Sequence, residues 1–414
     1  MPELDAGSTA WVLTATALVL FMTPGLAFFY GGMVRGKHVL GMLMQNVFCM
    51  GLVSVLWGLV GFSLAFGDGG KYIGNFDFAF LKDMQNGALQ LPGYSDSYVL
   101  VIPAILFCAY QMMFAIITPA LITGATADRL KFKSWVVLLG VWSILVYSPV
   151  AHWVFSPKGW LFQRGALDFA GGTVVHINAG VAALAIVLII GKRRGYPNEP
   201  MPPHSLPWTL IGTGILWFGW FGFNAGSALG ANMLAAQALI NTHMAAAAAM
   251  LGWLVVERLK DGHATTLGGA SGAVAGLVAI TPCAGFVSAM SAIVIGLLAG
   301  AVCYLAIGIK RRFGFDDALD VVAVHLVGGI TGSLLLGFFA DTKINSLGFD
   351  GVLNGGGGEL LGNQAVAVGA TIVFSFVVTY IIAKVIDMTM GLRVDEAAEH
   401  EGLDLSQHAE TAYS

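Results

Sequence analysis

The stretch DFAGGTVVHINAG, at residues 168–180, carries an aspartate, a histidine and an asparagine in a run that is otherwise apolar. A second stretch, DALDVVAVHLVGG at 317–329, repeats the eight-residue spacing from its first aspartate to its histidine and also ends in two small residues. Ionisable side chains are costly at membrane depth and tend to face a cavity or one another. The two stretches therefore predict one site, assembled from His176 and His325.

The composition indicates an integral membrane protein. Of 414 residues, 57% are hydrophobic and 11% charged, against roughly 25% charged in soluble domains. Stretches free of Asp, Glu, Lys and Arg predict helices of about 20 residues. Seven of them hold one helix each and the last two hold two each, with turns at 225–232 and 281–285, so that the chain is predicted to be an all-α membrane protein with eleven transmembrane helices: 8–34, 39–67, 97–127, 134–157, 169–191, 321–340, 360–383, 205–256 and 264–309.

The basic and then proline-rich segment GKRRGYPNEPMPPHSLP, at 191–207, marks an internal boundary. Five helices precede it, so the second half enters the membrane inverted, and each repeated stretch lies on the fifth helix of its half. This predicts an inverted repeat of helices 1–5 (residues 8–191) and 6–10 (residues 205–340). Helix 11 (360–390) completes a membrane domain at 1–390, and 391–414 forms a cytoplasmic tail.

Charge sets the predicted orientation. Fifteen lysines and arginines fall in one set of connections and five in the other, which places the N-terminus outside and the C-terminus inside. The start, MPELDAG, has no basic region, so the first helix is expected to be retained. The tail is acidic and the remaining chain nearly neutral, which argues against nucleic-acid binding.

Purely structural roles for the polar and aromatic residues remain open. A buried histidine can be purely structural, and Tyr110 and Phe114, one helical turn apart, can be core or lipid-facing. The two histidines lack further ligands at zinc spacing, and no nucleophile with a base and an orienting group is evident, so no metal, cofactor or enzymatic activity is predicted. Core packing is predicted for the four cysteines, which have no CxxC spacing: Cys49, Cys108, Cys283 and Cys303.

Longer motifs resemble the ammonium transporters (Amt/Mep/Rh), of the bacterial and archaeal Amt type. The resemblance runs from the first helix into the tail and rests on these motifs: FYGGMVRGK (29–37), YQMMFAIITPALI (110–122), GALDFAGGTVVHINAG (165–180), GWFGFNAGSA (219–228), DVVAVHLVGG (320–329), GLRV (391–394) and EGLDLSQHAETAY (401–413).

The resemblance assigns roles to single residues. It makes His176 and His325 the paired pore histidines, and Phe114 with Phe223 the stacked rings that gate the pore. It also implies an outer ammonium-binding site and one acid near the inner end of helix ten. These remaining positions are Ser227, Trp220 and Tyr110 at the outer site, Asp168 beneath it and Asp320 at the inner end.

Three of these positions carry qualifications. Tyr110 stands where the family commonly has phenylalanine. The outer site generally includes a tryptophan in an AHxxW context, whereas this chain reads AHWVF and places Phe155 there, which bears on the strength of cation recruitment. Asp168 either favours a nearby cation or caps backbone groups.

The resemblance implies transport of ammonium or ammonia across the inner (cytoplasmic) membrane by a homotrimer, with a PII-type signalling protein as a partner of the tail. Moving a small cation into a low-dielectric core costs on the order of 20 kcal/mol by a Born estimate. Removing its proton costs roughly 1.4 kcal/mol per pKa unit. Neutral ammonia is therefore the expected species in the pore. The alternative function is an ammonium sensor, and a gas channel of the Rh type is a variant of the first.

Overall fold

The computed structural model describes residues 3–84 and 100–413. Throughout these two ranges the chain is built from helices, and Leu130 and Arg393 form an isolated antiparallel bridge. The all-helical prediction is confirmed for this part of the chain. Ser97, the predicted start of the third apolar stretch, lies outside the described residues.

The helices follow the predicted order. Their bounds are α1 Ala6–Met33, α2 Gly36–Phe66, α3 Ala104–Ile122, α4 Phe132–Gln163, α5 Gly172–Ile190, α6 Leu206–Trp220, α7 Met233–Asp261, α8 Thr266–Ile280, α9 Ala289–Phe313, α10 Val322–Phe339 and α11 Glu359–Met390.

Within the described ranges, nine of these helices are long and apolar enough to cross a membrane. The other two, α6 and α8, have 15 residues each. Helix α6 continues through a π-helical turn, Phe221–Ala225, and a 3-10 turn, Gly226–Ala228. The helical structure then ends before α7. The helical structure also ends after α8, at the second predicted turn. The count of eleven crossings and the orientation of the termini stay predictions.

Burial separates central from peripheral helices. In the most apolar window of α5, 83% of the residues are buried, and in that of α3 78% are buried, against 33% in α11. Helix α11 exposes Val373 and Met388, among other large apolar side chains. Such a surface suits contact with lipid, while α3 and α5 form the centre of the fold.

Two equivalent glycines bring the halves of the molecule together. A Cβ atom on Gly180 of α5 would lie 2.4 Å from the backbone nitrogen of Leu326, and one on Gly329 of α10 would lie 2.9 Å from Cγ1 of Ile177. Each glycine therefore removes a side chain where its helix crosses the other. This close crossing places the first turns of α5 and α10 side by side.

The tail folds back onto the connections between the first helices. It contains two short helices, α12 Glu396–Glu401 and α13 Leu403–His408. Lys131 donates its backbone N–H to the carbonyl of Leu392 (2.8 Å), Gly41 donates to Oδ1 of Asp404 (2.8 Å), and Arg194 donates to Oε1 of Glu399 (2.7 Å). The tail thus fastens the start of α2 to the α3–α4 and α5–α6 connections.

Candidate functional site

The two predicted histidines meet at the centre of the fold. The Nδ1 atoms of His176 and His325 are 3.2 Å apart, and their rings lie 19° from parallel with centroids 5.4 Å apart. Both side chains are buried. A hydrogen bond between two imidazole nitrogens needs one protonated and one bare nitrogen. Two neutral rings in this contact therefore share one hydrogen and adopt opposite tautomers.

Both histidines lie in π-helical turns at the start of their helices. These turns are Gly172–Ile177 in α5 and Val322–Val327 in α10. Such turns are rare and are frequent at functional sites. The wider helical turn and the glycine crossing together determine how the two rings approach each other.

The aspartates of the repeated stretches cap these two turns. The carboxylate of Asp168 accepts the backbone N–H groups of Gly171 (2.8 Å), Gly172 (2.6 Å) and Thr173 (2.8 Å), and also the Thr173 hydroxyl. Asp317 accepts the backbone N–H groups of Val321 (3.1 Å) and Val322 (2.7 Å), where α10 begins. The two repeated stretches are therefore alike in structure as well as in sequence. Of the two interpretations of Asp168, its contacts favour the backbone cap.

On one side of the histidines lies a cavity of about 200 Å³, here called the Ser227 cavity. Ser227 donates its hydroxyl to the carbonyl oxygen of Phe223 at 2.8 Å, which leaves lone pairs on Oγ for another donor. Aromatic rings form much of the remaining wall. The lining residues on which the predictions bear, together with two amides, are Phe114, Phe155, Asp168, Gln111 and Asn345.

Two phenylalanines separate the Ser227 cavity from the histidines. The ring centroids of Phe114 and Phe223 are 4.5 Å apart and both side chains are buried. Their planes make an angle of 52°, so the predicted stacking is wrong in its geometry: the rings are tilted, as aromatic pairs prefer over a face-to-face sandwich. Phe114 lines the Ser227 cavity, and Phe223 stacks on His176 with ring centroids 6.0 Å apart.

The space next to the histidines, here called the histidine cavity, is small. It measures about 10 Å³ and is lined by both imidazoles and by apolar side chains such as Met22, Leu26 and Val175. A water molecule needs a cavity of about 10–15 Å³ and two to four polar partners. The histidine cavity is therefore at the lower limit for one small molecule.

Beyond the histidines opens a third cavity, the Asp320 cavity, of about 360 Å³. His325 lines it as well as the histidine cavity, and so joins the two. Asp320 forms an ion pair with Lys310 at 2.7 Å and has a left-handed backbone with φ of 60°. Burial, followed by the negative charge of Asp320, raises the pKa of the neighbouring Asp317 carboxyl to about 6.

Comparison with known proteins shows the family of this chain. Residues 10–413 match the Ammonium Transporter Family. An ammonium transporter of Mycobacterium tuberculosis is 50% identical over 431 residues, which cover 99% of this chain and 90% of the relative. The chain belongs to the ammonium transporter family.

Two solved structures show the same fold. The crystal structure of Candida albicans Mep2 superimposes with a TM-score of 0.88 at 36% identity, covering 95% of this chain and 88% of Mep2. A structure described as a sensor Amt protein gives a TM-score of 0.88 at 30% identity, covering 97% and 98% of the two chains. The chain is thus a multi-pass membrane protein with the fold of the Amt and Mep ammonium transporters.

The position of Trp220 in this member of the family differs from the predicted one. It was predicted at the outer site, but its ring stacks on His176, with centroids 5.4 Å apart and planes 17° apart, and it lines the histidine cavity. Its indole N–H donates to Oγ1 of Thr281 at 2.9 Å. Trp220 precedes Ser227 by seven residues, or about 10 Å of helical rise. It therefore lies one layer deeper than Ser227.

Tyr110 is a second correction. Its side chain is buried behind Ser227 instead of lining the Ser227 cavity, and its ring edge packs on Phe114 with centroids 5.0 Å apart. A buried tyrosine hydroxyl needs partners, and the turns that follow α6 supply them.

Other site residues escaped the sequence reasoning. Gln111 and Asn345 bring amides to the Ser227 cavity, Thr281 holds Trp220, and Lys310 pairs with Asp320. Thr281 stood in the TPCAG segment, which was interpreted only as a turn, and no signal in the sequence marked its contact with α6. Among the described residues, no group of three or more His, Cys, Asp or Glu side chains is placed to hold a metal.

Proposed function

We propose that this chain moves ammonium across the cytoplasmic membrane by binding the cation in the Ser227 cavity and passing neutral ammonia between the two histidines. The observation that carries the proposal is the series of three cavities. A small apolar space with two imidazoles lies between two larger cavities and is closed on one side by the Phe114–Phe223 contact. Membership of the ammonium transporter family supplies the substrate.

Recruitment uses an acceptor and aromatic faces. Ammonium has four N–H donors and no lone pair. Ser227 offers lone pairs, since its own hydrogen is directed to Phe223. Phe114 and Phe155 line the same cavity and present rings to a cation. A cation–π contact contributes about 2 kcal/mol or more when it is desolvated.

The apolar lining of the histidine cavity decides which species passes. The aromatic contacts return only a small part of the Born cost, which is on the order of 20 kcal/mol for a bare ion. Deprotonation near neutral pH costs a few kcal/mol, at roughly 1.4 kcal/mol per pKa unit. Ammonia is uncharged and small enough for the available space. The cation is therefore deprotonated before the Phe114–Phe223 contact is passed.

The histidines then act on ammonia through opposite tautomers. Whichever ring gives its Nδ1 hydrogen to the other presents a bare Nε2 atom, and the partner presents an Nε2 hydrogen. Nε2 of His176 is buried and has no hydrogen-bond partner among the described residues. When a proton arrives at the bare Nε2 atom, the shared hydrogen can pass between the Nδ1 atoms while the partner ring releases its Nε2 proton, and the two roles are then exchanged. The pair can thus hold ammonia and relay a proton.

Ammonia leaves into the Asp320 cavity, where it regains a proton. The carboxylates of Asp320, Asp261 and Glu257 line this cavity together with the cationic side chains of Lys260 and Arg311. In the proposed orientation the Ser227 cavity opens outside and the tail lies inside. The homotrimer and a PII-type partner at the tail are carried over from the family resemblance. The contacts of the tail with the start of α2 and with two connections are consistent with a regulatory contact there.

The test is a current measurement on reconstituted protein. Proteoliposomes receive an ammonium pulse, and the wild type is compared with His176→Ala and with the double variant His176→Ala/His325→Ala. A wild-type current that disappears in both variants, with the fold intact, supports proton relay by the histidines. Ammonia flux without a wild-type current means passive conduction and contradicts the relay. Absence of both current and flux contradicts transport.

A sensor is the second candidate function, since one of the similar structures is described as a sensor Amt protein. The tail supports this candidate because it is hydrogen-bonded to the start of α2 and to the α5–α6 connection, and can report the positions of these helices. A sensor predicts saturable ammonium binding to the purified protein with a change in protease sensitivity of the tail but no flux. Flux without any response of the tail contradicts it.

A further inference from the structure

The hydroxyl of Tyr110 is surrounded by oxygens from the turns that follow α6. Its Oη atom lies 2.9 Å from the carbonyl oxygen of Gly222, 2.9 Å from that of Phe223 and 3.2 Å from Oγ of Ser227. The side chain is fully buried. The phenol is therefore hydrogen-bonded to the segment that carries Ser227 and does not face the Ser227 cavity.

The chain leaves room for this hydroxyl. A Cβ atom on Gly226 would lie 2.6 Å from Oη of Tyr110 and 3.0 Å from a carbon of its ring. The backbone changes from α to π to 3-10 geometry between Trp220 and Ala228, and Leu229 then has φ of 53°. These turns direct two carbonyls at the phenol. A phenylalanine would leave them without this donor.

The hydrogens in this cluster can be counted. Carbonyl oxygens only accept, so Tyr110 and Ser227 supply one side-chain hydrogen each. The Tyr110 hydrogen has two carbonyls at 2.9 Å, both closer than Ser227. The Ser227 hydrogen then has Phe223 O at 2.8 Å or Tyr110 Oη at 3.2 Å, and both lie on the protein side. With Tyr110 in place, Ser227 directs its hydrogen inward and its lone pairs to the cavity.

We infer that Tyr110 is a positioning residue that fixes Ser227 as a hydrogen-bond acceptor, and thereby selects ammonium over molecules that need a donor. The inference rests on the proposed binding of ammonium at Ser227. A serine hydroxyl that rotates freely can turn its hydrogen toward the Ser227 cavity, where this hydrogen would face the N–H hydrogens of ammonium and repel them. The phenol and the Phe223 carbonyl give that hydrogen two inward acceptors, whereas the carbonyl alone gives it one.

The experiment measures initial ammonium-driven flux into proteoliposomes over a range of ammonium concentrations. The substitution is Tyr110→Phe, which removes one oxygen and keeps the ring against Phe114. Loss of one net hydrogen bond is expected to raise the half-saturating ammonium concentration about five-fold, with little change in the maximal rate. Tyr380→Phe is the matched control, because Tyr380 is 40% exposed on α11 and packs beside Phe376. It should leave the half-saturating concentration unchanged.

A double-mutant cycle with Ser227→Ala separates positioning from a general structural effect. If Tyr110 acts through Ser227, Tyr110→Phe has no further effect on the half-saturating concentration in the Ser227→Ala background. An equal effect in both backgrounds, or no effect in the wild type, overturns the inference and leaves the proposed function standing. If Ser227→Ala alone does not raise the half-saturating concentration, the proposed binding site itself is wrong. Thermal melting confirms that each variant is folded.

Discussion

The crossing of α5 and α10 provides the sharpest test of the site, through the substitution Gly180→Ala. The added Cβ atom would lie 2.4 Å from the backbone nitrogen of Leu326 and 2.7 Å from its Cβ. Ordinary contact begins near 3.4 Å, so the helices must separate by about 1 Å. Leu326 follows His325, so the movement acts on the histidine contact directly. The Nδ1–Nδ1 distance, which is 3.2 Å in the wild type, would then lengthen beyond the range of a hydrogen bond.

The expected result has two parts. Overpacking of this kind costs about 1–3 kcal/mol, which lowers the melting temperature of the purified protein by a few degrees. Loss of the histidine contact should also abolish most of the ammonium-driven current in proteoliposomes. Both quantities are measured on the same preparation, so a fall in current can be judged against the fraction of folded protein.

The matched control is Gly369→Ala on α11. A Cβ atom there meets nothing within 4 Å, so the same chemical change should be neutral or stabilise the helix by about 0.5–1 kcal/mol. If Gly180→Ala keeps both the melting temperature and the current of the wild type, the close crossing does not position the histidines. A current that falls equally in Gly369→Ala would also refute the argument.

Four further predictions follow from single contacts. Phe155→Trp offers a cation a stronger π face and should lower the half-saturating ammonium concentration by roughly two- to five-fold; an unchanged value in flux assays would mean that Phe155 does not touch the cation. Thr281→Val removes the acceptor of the Trp220 indole N–H and should cost about 1–3 kcal/mol in a melting experiment, whereas a stability like that of the wild type contradicts this contact. Asp316→Asn breaks a buried ion pair with Arg193 (2.9 Å) and should cost about 3–5 kcal/mol, against about 0–1 kcal/mol for the exposed Asp68→Asn, which pairs with Lys158. Burial would raise the pKa of Asp316, but Arg193 and Arg129 outweigh it and hold that pKa below its usual value, so the stabilisation is present above about pH 4 and lost as the pH falls further; a pH-independent difference from Asp316→Asn would refute this. Asp404→Ala removes the acceptor of the Gly41 N–H (2.8 Å) and should expose the tail to limited proteolysis, while an unchanged cleavage rate would show that the other contacts suffice.

The repeated stretches were the most informative part of the sequence. The equal spacing of Asp168 to His176 and of Asp317 to His325 predicted a two-part site, and the structure places the two imidazoles in contact. This succeeded because an ionisable side chain in a long apolar run is rare enough to be read directly. The proposed roles of the site residues in transport still await the experiments described above.

The errors concern depth and direction, which spacing along one helix does not determine. Trp220 and Ser227 belong to one motif, yet a helical rise of two turns places Trp220 beside His176. Tyr110 was assigned a role for its ring, whereas its hydroxyl makes the contacts with Gly222, Phe223 and Ser227. The π-helical turns that orient these groups depend on tertiary packing and leave no periodic signal in the sequence.

The contact between His176 and His325 also fixes an order of events while the protein is made. The two residues are 149 positions apart, and at about 5–20 residues per second a ribosome needs roughly 7–30 s to travel between them. During that interval the first half can enter the membrane, but α10 and the imidazole of His325 are not yet present. The contact between the two imidazoles therefore forms late, when α10 docks against α5. A nascent chain interrupted before that step leaves the bilayer without the proposed ammonia pathway.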